Sequence, residues 1–382
     1  MAEHGPPVIV AARRTAIGTA GRGFARHTVD AVAAPVLAAV AAEVAASGRP
    51  VDDVILGNCL GPGGDIARIS ALRAGLGVEV PGVTVDRQCG SGLDAVAQAA
   101  SRVRAGDAEL VIAGGAESAS TAPWRLWPPD DGESPSRRYR RAPFAPLGWP
   151  DPEMGPAAEA VARRFGIGRD RQDAWAARSH RLAAAAQAAG VFDTELVAVD
   201  GVVRDDRPRA SLDEFRLRRF APAFEAGGTV TAGNSCGIAD GAAAVAVTTE
   251  AVRAGLGMPG LRVVASAVAG SDPSLPGIGA VSAVQRLLRR TGLTPFDLGA
   301  IEITEAFAAQ LLAVSDELGL NEHEICTQGG AIALGHPWGA SGAILLVRLA
   351  SRMLAADDSR PGLAACSIGG GQGIAMIVER VG

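Results

Sequence analysis

The run VTVDRQCGSGLDAVAQAA, residues 83–100, places a thiol, Cys89, between an apolar stretch and an alanine-rich segment that reads as a helix. Gly90, Ser91 and Gly92 follow it directly. A bare cysteine is ordinarily a small buried hydrophobe, and Cys59 and Cys326 are read that way. Cys89 differs because it sits at a strand-to-helix junction. There the unpaired N–H groups and the helix dipole stabilise a thiolate, and the expected pKa falls by roughly 1 to several units. A nucleophile needs a base, and the chain has five histidines. His4, His27, His180 and His323 read as solvated or structural. His336 lies in GGAIALGHPWGASGA, between a glycine-rich turn and Pro337 at the opening of another helix. That makes Cys89 and His336 a candidate nucleophile and base.

The surrounding elements must bring the two together across almost 250 positions. Strand-like runs such as PPVIVAA, DDVILGN and AELVIAGG alternate with alanine-rich helical segments, which specifies an α/β fold. The pattern is also written twice. Residues 89–118 overlay 338–373 as a small-residue turn, a helix ending in Arg, a polar loop, an apolar strand and a glycine pair. Two similar halves packed face to face about a pseudo-twofold axis would bring Cys89 and His336 to its centre. The region between them is rich in Pro, Arg and Trp, and a helix from about Asp170 to Ala189 follows, so it reads as an inserted lobe.

Composition limits what these residues serve. The 382 residues are 48% hydrophobic, enough for two or three packed units. All cations are arginine, since the chain has no lysine, and the net charge is −5, so nucleic acid is not an expected partner. The five cysteines stand singly without a CxxC pair, which points to free thiols and not to zinc or disulfides. No apolar run is expected to reach transmembrane length and the N-terminus lacks the order of a secretory signal, so the expected location is the cytoplasm, with no membrane partner.

The motifs RRTAIG, AGGAES, TVTAGNSCGIADGAAA, EITEAFAAQ, GGAIALGHPWGASG and IGGGQG occur in this order along essentially the whole chain. Together with the Cys89 motif, they resemble the thiolase family of acyl-CoA acyltransferases. The resemblance implies a five-layered αβαβα fold, with residues 1–117 and 239–260 as the N-terminal half, 118–238 as a CoA-binding loop domain and 261–382 as the C-terminal half. It also implies a homodimer or homotetramer that runs ping-pong acyl transfer on acyl-CoA and CoA, with no bound cofactor or metal. Cys89 would accept the acyl group and His336 would activate it. The N–H groups of Cys89 and Gly369 would hold one oxyanion, and His336 would help hold an enolate, each such site being worth on the order of 3 kcal/mol. Met154 and Phe307 match walls of the acyl pocket, with core packing as the plain alternative.

Three positions depart from the family. Thr304 stands where an Asn normally holds the enolate-site water. Cys236 aligns with a CoA-facing serine and leaves Ser235 one place early. Counting back from Gly369 puts Ser367 at the position of the second catalytic thiol, with Cys366 one residue too early and, on a strand, on the opposite face unless a bulge intervenes. Serine is a far weaker acid than a thiol, so proton removal at Cα should suffer. A decarboxylative condensing enzyme, a simpler acyltransferase, or a weakly catalytic acyl-CoA or lipid carrier are the other readings. The arginines of FRLRRF (Arg216, Arg218 and Arg219) could meet CoA phosphates but read more simply as a solvated run.

Overall fold

The structure, a computed structural model, describes residues 5–382 apart from 130, 133, 140 and 357, so His4 lies outside it. The N-terminal half builds strands β1 (Pro7–Thr15), β2 (Asp53–Gly57), β3 (Gly82–Val85), β4 (Leu110–Glu117) and β5 (Ala239–Thr249). Helices α1 (Val29–Val44), α2 (Ile66–Arg73) and α3 (Ser91–Ala105) are interleaved with them. The inserted lobe carries α4 (Met154–Phe165) and α5 (Arg169–Ala188). The C-terminal half adds β6 (Gly260–Gly270), α6 (Gly279–Thr291), β7 (Ala300–Ile303), α7 (Ala308–Leu318), α8 (Trp338–Ala355), β8 (Gly362–Ile368) and β9 (Gln372–Val381). The α5 span lies within one residue of the helix read from the sequence.

Strand order runs β7-β8-β9-β6-β1-β5-β4-β2-β3. The repeat is visible in the pairing. β2 and β4 are parallel, as are β7 and β8, while β4 with β5 and β8 with β9 are antiparallel. Even the irregularities correspond: the β1–β5 ladder shifts register between Ile9 and Ala11, and the β6–β9 ladder between Val263 and Ala265. The halves are not separate slabs, because β1 pairs with β6 at Val8↔Arg262 and Ile9↔Leu261. One cluster of buried residues joins α1 and α2 to the N-terminal strands, a second joins both sets of strands to α3 and α8, and a third joins the C-terminal strands to α6 and α7. The result is the five-layered αβαβα arrangement. Strands β4 and β5 are buried along their whole length, which explains their nearly unbroken Ala, Gly and Val sequences.

One expectation is corrected here. The segment Val29–Ser47, α1 with its 3₁₀ extension, is long and apolar enough by length and composition to cross a membrane. In the fold it lies on the N-terminal strands, with Val32, Val36, Leu37 and Val40 in the outer core.

The two central helices approach through glycine. A Cβ on Gly92 of α3 would stand 2.8 Å from the Gly339 carbonyl and 2.9 Å from the Ala343 nitrogen, and one on Gly342 of α8 would stand 2.5 Å from the Leu93 nitrogen. A Cβ on Gly57, at the end of β2, would meet the Gly92 nitrogen at 2.5 Å, and one on Gly115 in β4 would overlap the Gly339 carbonyl. The inserted lobe is tied to both halves by charge. Glu195 accepts from Arg14 Nε at 2.8 Å and pairs with Arg348, and Asp205 takes the other face of the Arg14 guanidinium at 2.8 and 3.0 Å. Phe192 lies between the two arginines, 5.2 Å from the Arg14 and 4.4 Å from the Arg348 guanidinium.

Gly115→Ala is therefore expected to lower folding stability by about 2–3 kcal/mol or more in a denaturant titration, since backbone must move to admit the methyl group. Gly255→Ala, in an exposed helix with nothing near its Cβ position, should stabilise by up to about 1 kcal/mol. Equal effects at the two sites would mean that the glycine contact does not limit helix approach.

Candidate active site

Cys89 lies in a single 3₁₀ turn, Gln88–Gly90, that feeds directly into α3. The turn is held locally. Ser91 Oγ accepts from the Arg87 N–H at 2.7 Å and donates to the Gln88 carbonyl at 2.7 Å, while Asp86 accepts from the Gln88 N–H at 2.8 Å. Gln88 itself is forced to φ +46, a left-handed conformation that a non-glycine residue adopts only when its surroundings compel it. Gly90 is required for packing, since a Cβ there would meet Ile368 at 2.5 Å and Ile374 at 2.9 Å. Strand β8 is thus pressed against the nucleophile turn. The N–H of Gly369, just past β8, and the N–H of Cys89 itself both favour the thiolate form of Cys89.

These donors do not make a resting thiolate. Burial pushes the Cys89 thiol up to about 12, the two N–H groups lower it only in part, and the Glu117 and Asp86 charges raise it further. The expected depression at a helix start is overturned because desolvation outweighs the dipole. His336 is also uncharged: burial alone pulls its pKa down to about 4. The candidate pair is a neutral thiol and a neutral imidazole.

His336 precedes α8, whose N-cap is Pro337, and its N–H donates to the Gly237 carbonyl at 3.0 Å. Its Nδ1 lies 2.6 Å from Ser341 Oγ, and that hydroxyl donates to the Pro337 carbonyl at 3.0 Å. With the serine proton committed to Pro337, Nδ1 carries the imidazole hydrogen and Nε2 keeps its lone pair. Nε2 is buried without a protein partner. Sequence reading missed Ser341, although its place five residues after His336, one turn into the helix, was a usable signal. It also missed Glu117. This buried carboxylate accepts from the Gly339 N–H of α8 at 3.0 Å and from Cys59 and Leu60 N–H at 3.1 and 3.0 Å, so it caps α8 beside the nucleophile. Burial raises its pKa.

Phe307 caps α7, and its ring meets Phe224 edge-on at 6.0 Å. Phe224 in turn covers Gly155, the neighbour of Met154 at the start of α4. Phe224 thus joins Phe307 to the start of α4, where Met154 lies, and the sequence reading did not name it. Ser235 is buried, and its hydroxyl donates to the Thr231 carbonyl at 2.6 Å. Cys236 is half-buried, with its N–H on the Ala306 carbonyl at 3.0 Å, and burial followed by the Cys89 charge pushes its thiol up to about 12. Arg218 is on the surface, 3.6 Å from Asp170 and 4.0 Å from Glu214. Its plain solvated reading fits this position. His27 bonds Asp200 at 2.9 Å, and His180 is buried in α5.

Comparison with known proteins settles the family. The description "Thiolase, N-terminal domain" matches residues 7–251, and "Thiolase, C-terminal domain" matches residues 258–380. The chain belongs to the thiolase family. It is 42% identical over 393 aligned residues to an acetyl-CoA acetyltransferase of Escherichia coli, covering 98% of this chain and 99% of that protein. It is 41% identical to a putative acetyl-CoA C-acetyltransferase of Bacillus subtilis, over 97% and 98% of the two chains. The crystal structure of the Bacillus anthracis acetyl-CoA acetyltransferase superposes with a TM-score of 0.92 at 34% identity, over the full length of both chains.

Within this thiolase, the positions that depart from the family pattern have definite surroundings. Strand β8 pairs without a bulge through Cys366↔Ile374, Ser367↔Gly373 and Ile368↔Gln372, so Cys366 and Ser367 face opposite sides. Cys366 points into the central layer, fully buried, with its sulfur 3.2 Å from Thr304 Oγ1. Burial first, and then the Cys89 charge, push that thiol up to about 12. Ser367 Oγ donates to the Gly277 carbonyl at 2.7 Å and accepts from the Ala280 N–H at 3.1 Å, in the first turn of α6. No bulge swings Cys366 into the place of Ser367. Among the described residues, no group of three or more His, Cys, Asp or Glu is arranged to hold a metal.

The neutral pair sets two expectations. Alkylation of Cys89 by iodoacetamide should quicken about tenfold per pH unit between roughly pH 7 and 10, because the reactive thiolate is a small fraction throughout. A plateau reached below pH 8 would mean a preformed ion pair. His336 titrates near 6.5 when unfolded and near 4 when folded, so the unfolded form binds the extra proton between those values. Stability should therefore fall as pH drops from about 6.5 to about 4, by roughly 3 kcal/mol from this group. Urea titrations across that window should show a shallower fall for His336→Asn.

Proposed function

We propose that this thiolase transfers acyl groups between CoA thioesters through a covalent Cys89 intermediate. The observation that supports this most is the close packing of the helix that opens after Cys89 against the one that opens after His336, with the Gly369 and Cys89 N–H groups favouring the Cys89 thiolate. In the forward half-reaction, His336 Nε2 takes the thiol proton as the sulfur bonds to the thioester carbonyl carbon. The carbonyl oxygen gains the negative charge, and the Gly369 and Cys89 N–H groups would receive it. Collapse of that adduct breaks the carbon–sulfur bond to CoA, and the leaving thiolate takes the proton from His336. A neutral imidazole suits this cycle, because it can accept a proton and return it without having to lose one first. Under this reading, acyl-CoA and CoA are substrates and no cofactor is resident. The protein would work as a cytoplasmic homodimer or homotetramer.

The second half-reaction is where this chain differs. Return of the acyl group from Cys89 to CoA needs only CoA to enter as nucleophile, whereas condensation needs a proton removed from Cα of a second thioester and thiolysis needs that proton returned to Cα. At the position where the family usually carries a thiol, Ser367 has its hydroxyl engaged on both sides by main chain, and the Cys366 thiol is buried against Thr304. The proposal is an acyl-enzyme former with a weak Cα base. A decarboxylative condensation would need no such base, since loss of CO₂ from a malonyl thioester generates the enolate.

Intact-protein mass spectrometry after mixing with acetyl-CoA should show one acetyl adduct in the wild type and none in Cys89→Ala; an adduct retained on another cysteine would refute the assignment. Deuterium should enter the acetyl-CoA methyl group slowly in the wild type and about 10²-fold faster in Ser367→Cys. Rapid exchange abolished by Cys366→Ala but kept in Ser367→Ala would assign the base to Cys366 instead. Condensation that proceeds from malonyl-CoA and not from acetyl-CoA alone would select the decarboxylative reading.

A further inference from the structure

The turn that follows β8 is backbone with little means of supporting itself. Gly369, Gly370 and Gly371 carry no side chains, and the last two sit at φ +81 and +76. Glycine reaches such angles freely, so the turn's own sterics do not fix the direction of an N–H within it. Yet the Gly369 N–H is one of the two groups that favour the Cys89 thiolate. What holds that N–H in place must come from outside the turn.

The β8–β9 pairing Ile368↔Gln372 closes its base. Ser271 donates its N–H to the Gly371 carbonyl at 2.7 Å, and a Cβ on Gly371 would meet both the Ser271 carbonyl and the Pro273 nitrogen at 2.6 Å. Against Gly369 itself the contact is a side chain from the inserted lobe. A Cβ there would stand 2.5 Å from Phe144 Cε2 and 2.7 Å from Cδ2, and one on Gly370 would stand 2.9 Å from the Phe144 carbonyl oxygen. The ring therefore lies directly on the Gly369 Cα.

Phe144 is itself clamped. Its N–H donates to Asp151 Oδ2 at 3.2 Å, and Arg141 donates to Asp151 Oδ1 at 2.8 Å. The Arg141 guanidinium also covers the ring, 4.5 Å from its centroid. An Arg–Asp pair ten residues apart thus closes a loop and presses its phenylalanine onto the glycine turn.

We infer that Phe144 is a positioning residue for acyl transfer. Its ring fixes the Gly369 peptide so that the N–H is aimed at the oxygen that becomes negative when Cys89 attacks a thioester. The inference rests on the acyl-transfer reading above. It gives the inserted lobe a part in the chemical step that needs no polar group of its own, only the volume of one ring held at a fixed place.

The test measures how fast acetyl-CoA acetylates Cys89, by rapid-quench mass spectrometry, and the carbonyl stretch of the acetyl-enzyme, by isotope-edited infrared difference spectroscopy. In Phe144→Ala, acetylation should slow about 10²-fold, the effect that a small misplacement of a reacting group can have. The loss should fall on kcat, with KM for the acyl-CoA within about twofold of the wild type. The carbonyl band should move to higher wavenumber as its hydrogen-bond donor is lost, and Phe144→Leu should recover most of the rate and of the band position. Phe144→Val carries the same expectation as Phe144→Ala where the alanine variant does not fold. An acetylation rate within about twofold of the wild type would overturn the inference. Slower acetylation with an unshifted carbonyl band would also overturn it, and would assign the loss to substrate binding or packing. Absence of an acetyl adduct on Cys89 in the wild type would defeat the acyl-transfer reading and this inference with it.

Discussion

The contact between α3 and α8 determines most of what this molecule does. The two helices begin at the candidate nucleophile and the candidate base, and they approach until backbone touches backbone at Gly92, Gly339 and Gly342. Any side chain larger than hydrogen at these points would separate the helices and carry the two site loops apart. The flanking strands obey the same constraint at Gly57 and Gly115. The sheets on either side then close over the helix pair, joined edge to edge through β1 and β6. The alanine and glycine content of the central strands follows from this, since the layers leave little depth between them.

Electrostatics in the site is governed by exclusion of water more than by fixed charge. Cys89 has a helix start, two N–H donors and no adjacent cation to counter the loss of hydration, and the loss dominates. His336 is subject to the same effect in the opposite direction. Glu117, which stabilises the opening of α8 through the Gly339 N–H, adds negative potential beside the thiol. A reaction at Cys89 must then move a proton at the moment the sulfur attacks, and the Ser341 contact fixes which imidazole nitrogen is ready to take it.

Sequence patterns carried the layering and the repeat because these are written in local periodicity and small-residue turns. Strand alternation, the Cys89 helix start and the His336 loop were legible for that reason, as was α5. What stayed hidden depends on contacts between distant positions. The helix dipole argument for Cys89 could not include the burial supplied by Ile368, Ile374 and Gly369 some 280 residues later. Strand alternation did place Cys366 and Ser367 on opposite faces, but the partners of each, Thr304 for one and the start of α6 for the other, emerge only when β7, β8 and α6 are assembled. Phe224 carries no motif signal of its own.

A thiol kept protonated in its resting state has a chemical benefit unrelated to acyl transfer. Peroxide oxidises thiolates far faster than thiols, and low-pKa cysteines are the ones most readily converted to sulfenic acid. Cys89, held as the neutral form by burial, presents little of the oxidisable species between turnovers. A thiol held protonated in this way would be oxidised between turnovers more slowly than one in a preformed thiolate–imidazolium pair.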